Sequence, residues 1–143
     1  HGLGINAKMS ELQAAMGLCV LPHLDKIIEK RKIIIEHYDK RIISSGIKTL
    51  IHRPNSKWNY GYYPILLKTE KQLLKVQNAL NENQIFPRRY FYPSLENLPF
   101  LILNSKMKVS EDISSRILCL PLSHDLSIFD ARRIIEIVLK DNR

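Results

Sequence analysis

Leu21, Leu24, Ile28, Ile35, Tyr38 and Ile42 trace one long apolar stripe at helical spacing, interrupted by Arg31 and stopped by Ser44-Ser45-Gly46. Residues 23–44 therefore read as a single long amphipathic helix. A helix of this kind buries its stripe against a second layer, so the rest of the chain has to supply one. Ahead of it, Ser10-Glu11-Leu12-Gln13 has the form of a capping box, and Leu12, Ala15, Met16 and Cys19 recur at steps of three and four. This predicts a short first helix that ends before Pro22.

Beyond residue 46 the pattern changes. His52-Arg53-Pro54-Asn55-Ser56 is a loop by composition. Trp58 to Leu67 is rich in aromatic and branched residues and reads as a strand, with Pro64 pointing to an edge or a bulge. Thr69-Glu70-Lys71-Gln72 is a second capping box, followed by Leu73, Val76 and Leu80, with Asn81 to Asn83 as the stop. Ile85 to Tyr92 reads as a second strand between Pro87 and Pro93. Ser94 to Lys108 carries no clear period. Ser110-Glu111-Asp112 suits a helix start, Ile117 to Leu120 reads as a third strand, and Ser127 caps a last helix whose buried face is Ala131, Ile134, Ile135, Val138 and Leu139.

The expected class is thus α+β. About three mainly antiparallel strands pack on helices, with residues 1–44 forming two connector helices and residues 45–143 a small domain.

At 143 residues, a core can form without a disulfide or metal staple. No apolar run reaches the ~18 residues of a membrane span, and the N-terminus lacks signal-peptide regions. The expectation is a cytoplasmic protein. Cys19 and Cys119 lie in apolar settings and form no Cys-x-x-Cys or zinc spacing. His23, His37, His52 and His124 show no ligand spacing either, so no metal site is expected.

The net charge of +8 raises nucleic acid or an anionic small molecule as partner. However, Lys26, Lys30, Arg31, Lys32, Lys40 and Arg41 fall on the long helix, where a solvated face accounts for them. No interleaved aromatics or nucleic-acid motif accompanies them.

Four blocks carry a resemblance. Gly4-Ile5-Asn6-Ala7-Lys8-Met9 runs into an Ala14-Ala15 helix. Leu21-Pro22-His23-Leu24-Asp25 and the basic run Lys30-Arg31-Lys32 follow. Later come Arg88-Arg89-Tyr90-Phe91-Tyr92-Pro93-Ser94-Leu95 and Cys119-Leu120-Pro121-Leu122. In this order and spacing the chain resembles the DegT/DnrJ/EryC1/StrS family of sugar aminotransferases along its whole length.

The resemblance implies the small C-terminal domain of the type I aminotransferase fold, in a pyridoxal phosphate enzyme that acts as a homodimer with its site at the subunit boundary. The implied reaction moves an amino group from glutamate to a nucleotide-linked keto sugar. The family's Schiff-base lysine lies upstream of the Gly-x-Asn block. No catalytic residue is therefore expected in this chain, and the chain alone is expected to be inactive.

By the same resemblance, Asn6 reaches the cofactor phosphate of the neighbouring subunit, for which a side-chain amide offers two donors. The plainer alternative is a turn that leads into the first helix. Lys8 reads as a solvated or anion-facing lysine on the substrate side. Strand alternation would place Arg88, Tyr90 and Tyr92 on one face as substrate contacts, and Arg89 with Phe91 on the other. Arg88 suits a bidentate contact to a diphosphate or to the carboxylate of the amino donor, and equally a surface salt bridge.

Leu95 departs from the histidine that many members carry there. The Arg-Tyr-Phe-x-Pro-Ser-Leu form is closer to a subset associated with nucleotide-linked 4-keto sugars. The rival class is a non-catalytic assembly, regulatory or nucleic-acid-binding module.

Overall fold

The capping signals at Ser10, Thr69 and Ser127 are realised in the computed structural model, which describes residues 8–90, 92–99 and 106–141. Helix α1 spans Glu11–Val20. The Ser10 hydroxyl accepts from the Gln13 N–H at 3.3 Å, and the Gln13 side chain accepts from the Ser10 N–H at 2.9 Å. Helix α2 spans Leu24–Ile42 after a 3₁₀ turn over Leu21–His23, and α3 spans Glu70–Glu82.

Thr69 accepts from the Gln72 N–H at 3.2 Å, but Gln72 reaches one residue further back than a capping box requires, to the Lys68 N–H. Helix α4 (Lys108–Arg116) begins two residues before Ser110, with Met107 ahead of it and no side-chain cap. At α5 (Ile128–Asp141), the Ser127 hydroxyl accepts from the Asp130 N–H at 3.0 Å.

Three strands form one antiparallel sheet in the order β1 (Lys48–Thr49), β2 (Tyr63–Leu66), β3 (Ile117–Leu120). Tyr63 lies opposite Leu120 and Leu66 opposite Ile117. Tyr63, Ile65, Leu67, Leu118 and Leu120 point to the same side and are buried. There they meet Ile34, Ile35, Tyr38 and Ile42 of α2, Leu73, Val76 and Leu80 of α3, and Ala131, Ile134, Ile135 and Val138 of α5. Helix α5 packs on both α2 and α3. Burying each of these larger side chains contributes about 1.5–3 kcal/mol, and none can be exposed without opening the layer.

Tyr38 ties the layers together. Its ring centroid lies 5.0 Å from that of Tyr63, and its hydroxyl donates to the Pro121 carbonyl at 3.0 Å. The C-terminal half of α2 therefore belongs to the core. Helix α1 has no buried residue, and Leu12 is 72% exposed.

The expected class and antiparallel sheet are present, with different strands. The described residues within 85–92 do not form a strand. Only Arg88 pairs, exchanging both backbone bonds with Cys119 at 3.1 and 2.8 Å on the side of β3 away from β2. Continuing that register would set Phe86 against Pro121, which has no N–H to give.

The third strand is instead β1, only two residues long. The strand over 58–67 shortens to Tyr63–Leu66 because Asn59 accepts from the Gly61 N–H at 3.0 Å and Tyr60 adopts a left-handed φ of 51°. Pro64 sits in the middle strand, neither at an outer edge nor in a bulge. It fits because Cys119 opposite it bonds to Arg88, and because β1 ends at Thr49, opposite Ile65.

Candidate functional site on the outer sheet face

Period two puts Tyr62 and Pro64 on the face of β2 opposite the buried Tyr63 and Ile65, while Ile117 and Cys119 share that outer face on β3. Arg88 joins them through its pairing with Cys119. Tyr90 follows, and its ring meets Tyr62 edge to face with centroids 5.2 Å apart. The Arg88 guanidinium donates to the Tyr90 hydroxyl and lies 5.7 Å from its ring centroid. This hydrogen bond pushes the Arg88 pKa further up. The result is a permanently charged, exposed fork beside two phenols.

Tyr90 is shared by three adjoining cavities. One of 230 Å³ is lined by Gly61, Tyr62, Phe86, Arg88, Cys119 and Leu122 among others. A second, also 230 Å³, runs from Leu50 and Trp58 across Tyr62 and Pro64 to Ile117. The third includes Ser94, Leu95, Met107 and Ile113. Cys119 forms the floor of the first two, and burial pushes its thiol up to about 11. It is therefore protonated near neutrality and is not a thiolate nucleophile.

Arg88 and Tyr90 share a face as alternation predicts, whereas Tyr92 does not join them. Tyr92 stacks on Arg89, whose guanidinium carbon lies 3.6 Å from the ring centroid. Arg89 also donates to Glu70 at 2.7 Å and to the Ser115 carbonyl at 2.9 Å. The cause is the missing strand: without a ladder beyond Arg88, the two-residue period lapses and Tyr92 turns toward the half-buried Arg89.

Lys8 is exposed ahead of α1 and lines none of the three cavities. Asn6 lies outside the described residues. Tyr62, Phe86 and Cys119 line the surface without having been singled out from sequence. The signal for Tyr62 is its odd spacing from Ile65, which turns it to the opposite face.

Among the described residues, no three His, Cys, Asp or Glu side chains are grouped to hold a metal ion. No described helix is long and apolar enough to cross a membrane. The outer face offers a guanidinium and two phenol groups, donors matched to phosphate or carboxylate oxygens, with aromatic rings beside them. This set fits the phosphate or carboxylate oxygens of an anionic ligand, the phosphate of a bound pyridoxal phosphate included. No lysine lines the cavities, so none of the described residues there is placed to hold the cofactor's aldehyde.

The comparisons with known proteins place the chain in a family. The model of the DegT/DnrJ/EryC1/StrS aminotransferase family matches residues 1–139. The dTDP-4-amino-4,6-dideoxy-D-glucose transaminase of Escherichia coli is 37% identical over 132 residues, covering 87% of this chain and 36% of that protein. The chain thus spans about a third of the length of the curated relatives it matches.

Among solved structures, the aminotransferase TlmJ from Streptoalloteichus hindustanus superposes with a TM-score of 0.84 at 20% identity, over 98% of this chain and 38% of that one. Spr1654 from Streptococcus pneumoniae, in its PLP form, gives 0.79 at 21% identity, over 94% and 36%. At these identities the likeness is one of fold. With the family model matched from the first residue to residue 139, the chain belongs to the DegT/DnrJ/EryC1/StrS aminotransferase family.

Proposed function

We propose that this chain is the C-terminal part of a pyridoxal phosphate-dependent aminotransferase that moves an amino group from glutamate to a nucleotide-linked 4-keto sugar, as a step toward deoxyamino sugars. The observation that carries the reading is the 37% identity to a dTDP-4-amino-4,6-dideoxy-D-glucose transaminase along 87% of the chain. The outer sheet face supports it, because Arg88, Tyr90 and Tyr62 gather donors and rings where an anionic nucleotide sugar would lie.

In this reading the enzyme works as a cytoplasmic homodimer with its sites at the subunit boundary. When bound, pyridoxal phosphate supplies the electron sink and the carrier for the amino group. Arg88 holds the diphosphate, or the carboxylate of the amino donor, through its planar fork. The Tyr90 hydroxyl accepts from Arg88 and so aims that fork, while the Tyr62 ring braces Tyr90 from the side. Lys8 contributes positive charge near the substrate, and Asn6 donates to the cofactor phosphate of the neighbouring subunit. Tyr92 acts away from that face, as the stacking partner of Arg89. No residue of this chain is assigned the Schiff base, so transamination belongs to the intact enzyme and the isolated chain supports none.

The test uses the intact protein with cofactor, glutamate carrying an isotope-labelled amino nitrogen, and dTDP-linked 4-keto-6-deoxyglucose. Mass spectrometry should find the label in the sugar nucleotide. A cofactor-loaded protein that leaves all the label in glutamate contradicts the reading.

A further inference from the structure

Phe86 is 68% exposed, yet its backbone is pinned on both sides. On one side the Ile85 N–H donates to the Leu80 carbonyl at 3.0 Å, and on the other Arg88 exchanges two bonds with Cys119. Pro87 between them is buried, and a residue that precedes proline is held to extended backbone. The ring is thus held out into solvent by an anchored segment.

A single exposed aromatic residue is ordinary. This one shares a 230 Å³ cavity with Arg88, Tyr62 and Tyr90, and the described lining residues include no other charged side chain. The volume is below the ~300 Å³ at which ligand pockets usually begin, so it suits one ring system and not a whole nucleotide sugar.

We propose that Phe86 is the stacking platform for the nucleobase of the substrate, next to the diphosphate held by Arg88. This deepens the nucleotide-sugar reading and rests on it. Two residues of extended chain separate Phe86 from Arg88 by about 7 Å, comparable to the reach of a nucleoside from its base to its phosphate. Stacking on a ring is tolerant of base identity, because every base presents a π-face. Phe86 therefore supplies affinity for a nucleotide and leaves the choice of base to other contacts.

Isothermal titration of the intact protein with dTDP, and separately with inorganic pyrophosphate, tests the assignment. Phe86→Leu keeps an apolar side chain but removes the ring, and should weaken dTDP binding about 5- to 100-fold while leaving pyrophosphate binding unchanged. Phe86→Tyr should restore dTDP affinity to near the wild-type value. Equal dTDP affinity in Phe86→Leu and wild type overturns the assignment of Phe86 alone, as does a parallel loss of pyrophosphate binding. A wild-type protein that binds no dTDP overturns the nucleotide-sugar reading itself.

Discussion

His37 shows how a single residue can govern the pH response of this fold. It lies on α2 with Nε2 buried and without a hydrogen-bond partner. Burial lowers its pKa first, and Arg41, Arg132 and Lys40 lower it further, against a smaller opposing effect of Glu136. The folded state thus binds a proton at His37 less readily than the unfolded chain, whose histidine titrates near 6.5. The stability this provides is present above that value and is lost as pH falls toward the lower, folded pKa. Urea midpoints should drop between about pH 7.5 and 5.5, and His37→Gln should flatten part of that drop. An unchanged slope in the variant would contradict this account.

The sequence holds no clue to this burial, because which helical face meets α5 is decided by packing. It is more informative where chemistry is local. The hydroxyls of Ser10, Thr69 and Ser127 act as caps as their spacing implies.

Among the elements, the described residues that follow Arg88 up to Tyr92 form a stretch held by side chains instead of a ladder. Arg89 joins it to α3 through Glu70, to the end of α4 through the Ser115 carbonyl, and to Tyr92 by stacking. Arg116 acts similarly nearby, bonded to Asp112 at 2.6 and 2.8 Å and to the Leu67 carbonyl at 2.9 Å. Arg89→Ala should destabilise the protein by about 1–3 kcal/mol, because partners are left unpaired in a partly buried place. Arg89→Lys should recover little, since an ammonium cannot reproduce the planar stack and the paired donation. Denaturant titration checks both, and unchanged midpoints would show that the clamp is incidental.

Elements with a helical period and a cap were legible from sequence. Strands were legible only where apolar residues run together, as in Ile117–Leu120. Two-residue β1 is too short to show a period. Residues 85–92 have strand composition, but the ladder is blocked at Pro121, a partner remote in sequence. Arg88 and Tyr90 were legible as a pair because Arg88 is the one position that does pair and Tyr90 lies one strand period on, whereas Tyr92 lies past it.

Over the whole molecule, the described residues separate into a well-covered layer of α2, α3, α5 and the sheet, and an uncovered α1. Leu12, Met16 and Leu18 of α1 are all exposed by 60% or more. A helix this apolar on every side is ordinarily buried, which accords with a chain that spans 36% of its E. coli relative. The outer sheet face, with the exposed fork of Arg88, is the part of this chain that the proposed function sets against substrate.

The kinetics of Arg88→Ala and Arg88→Lys in the intact enzyme test that claim most directly. A hydrogen bond to a charged group contributes about 1.5–3 kcal/mol, or roughly ten- to a hundredfold in affinity. Arg88→Ala should raise the KM for the nucleotide sugar by about that factor, or the KM for glutamate if the fork holds the donor, and Arg88→Lys should restore only part. Wild-type KM values for both substrates in Arg88→Ala would contradict the placement of the substrate on this face.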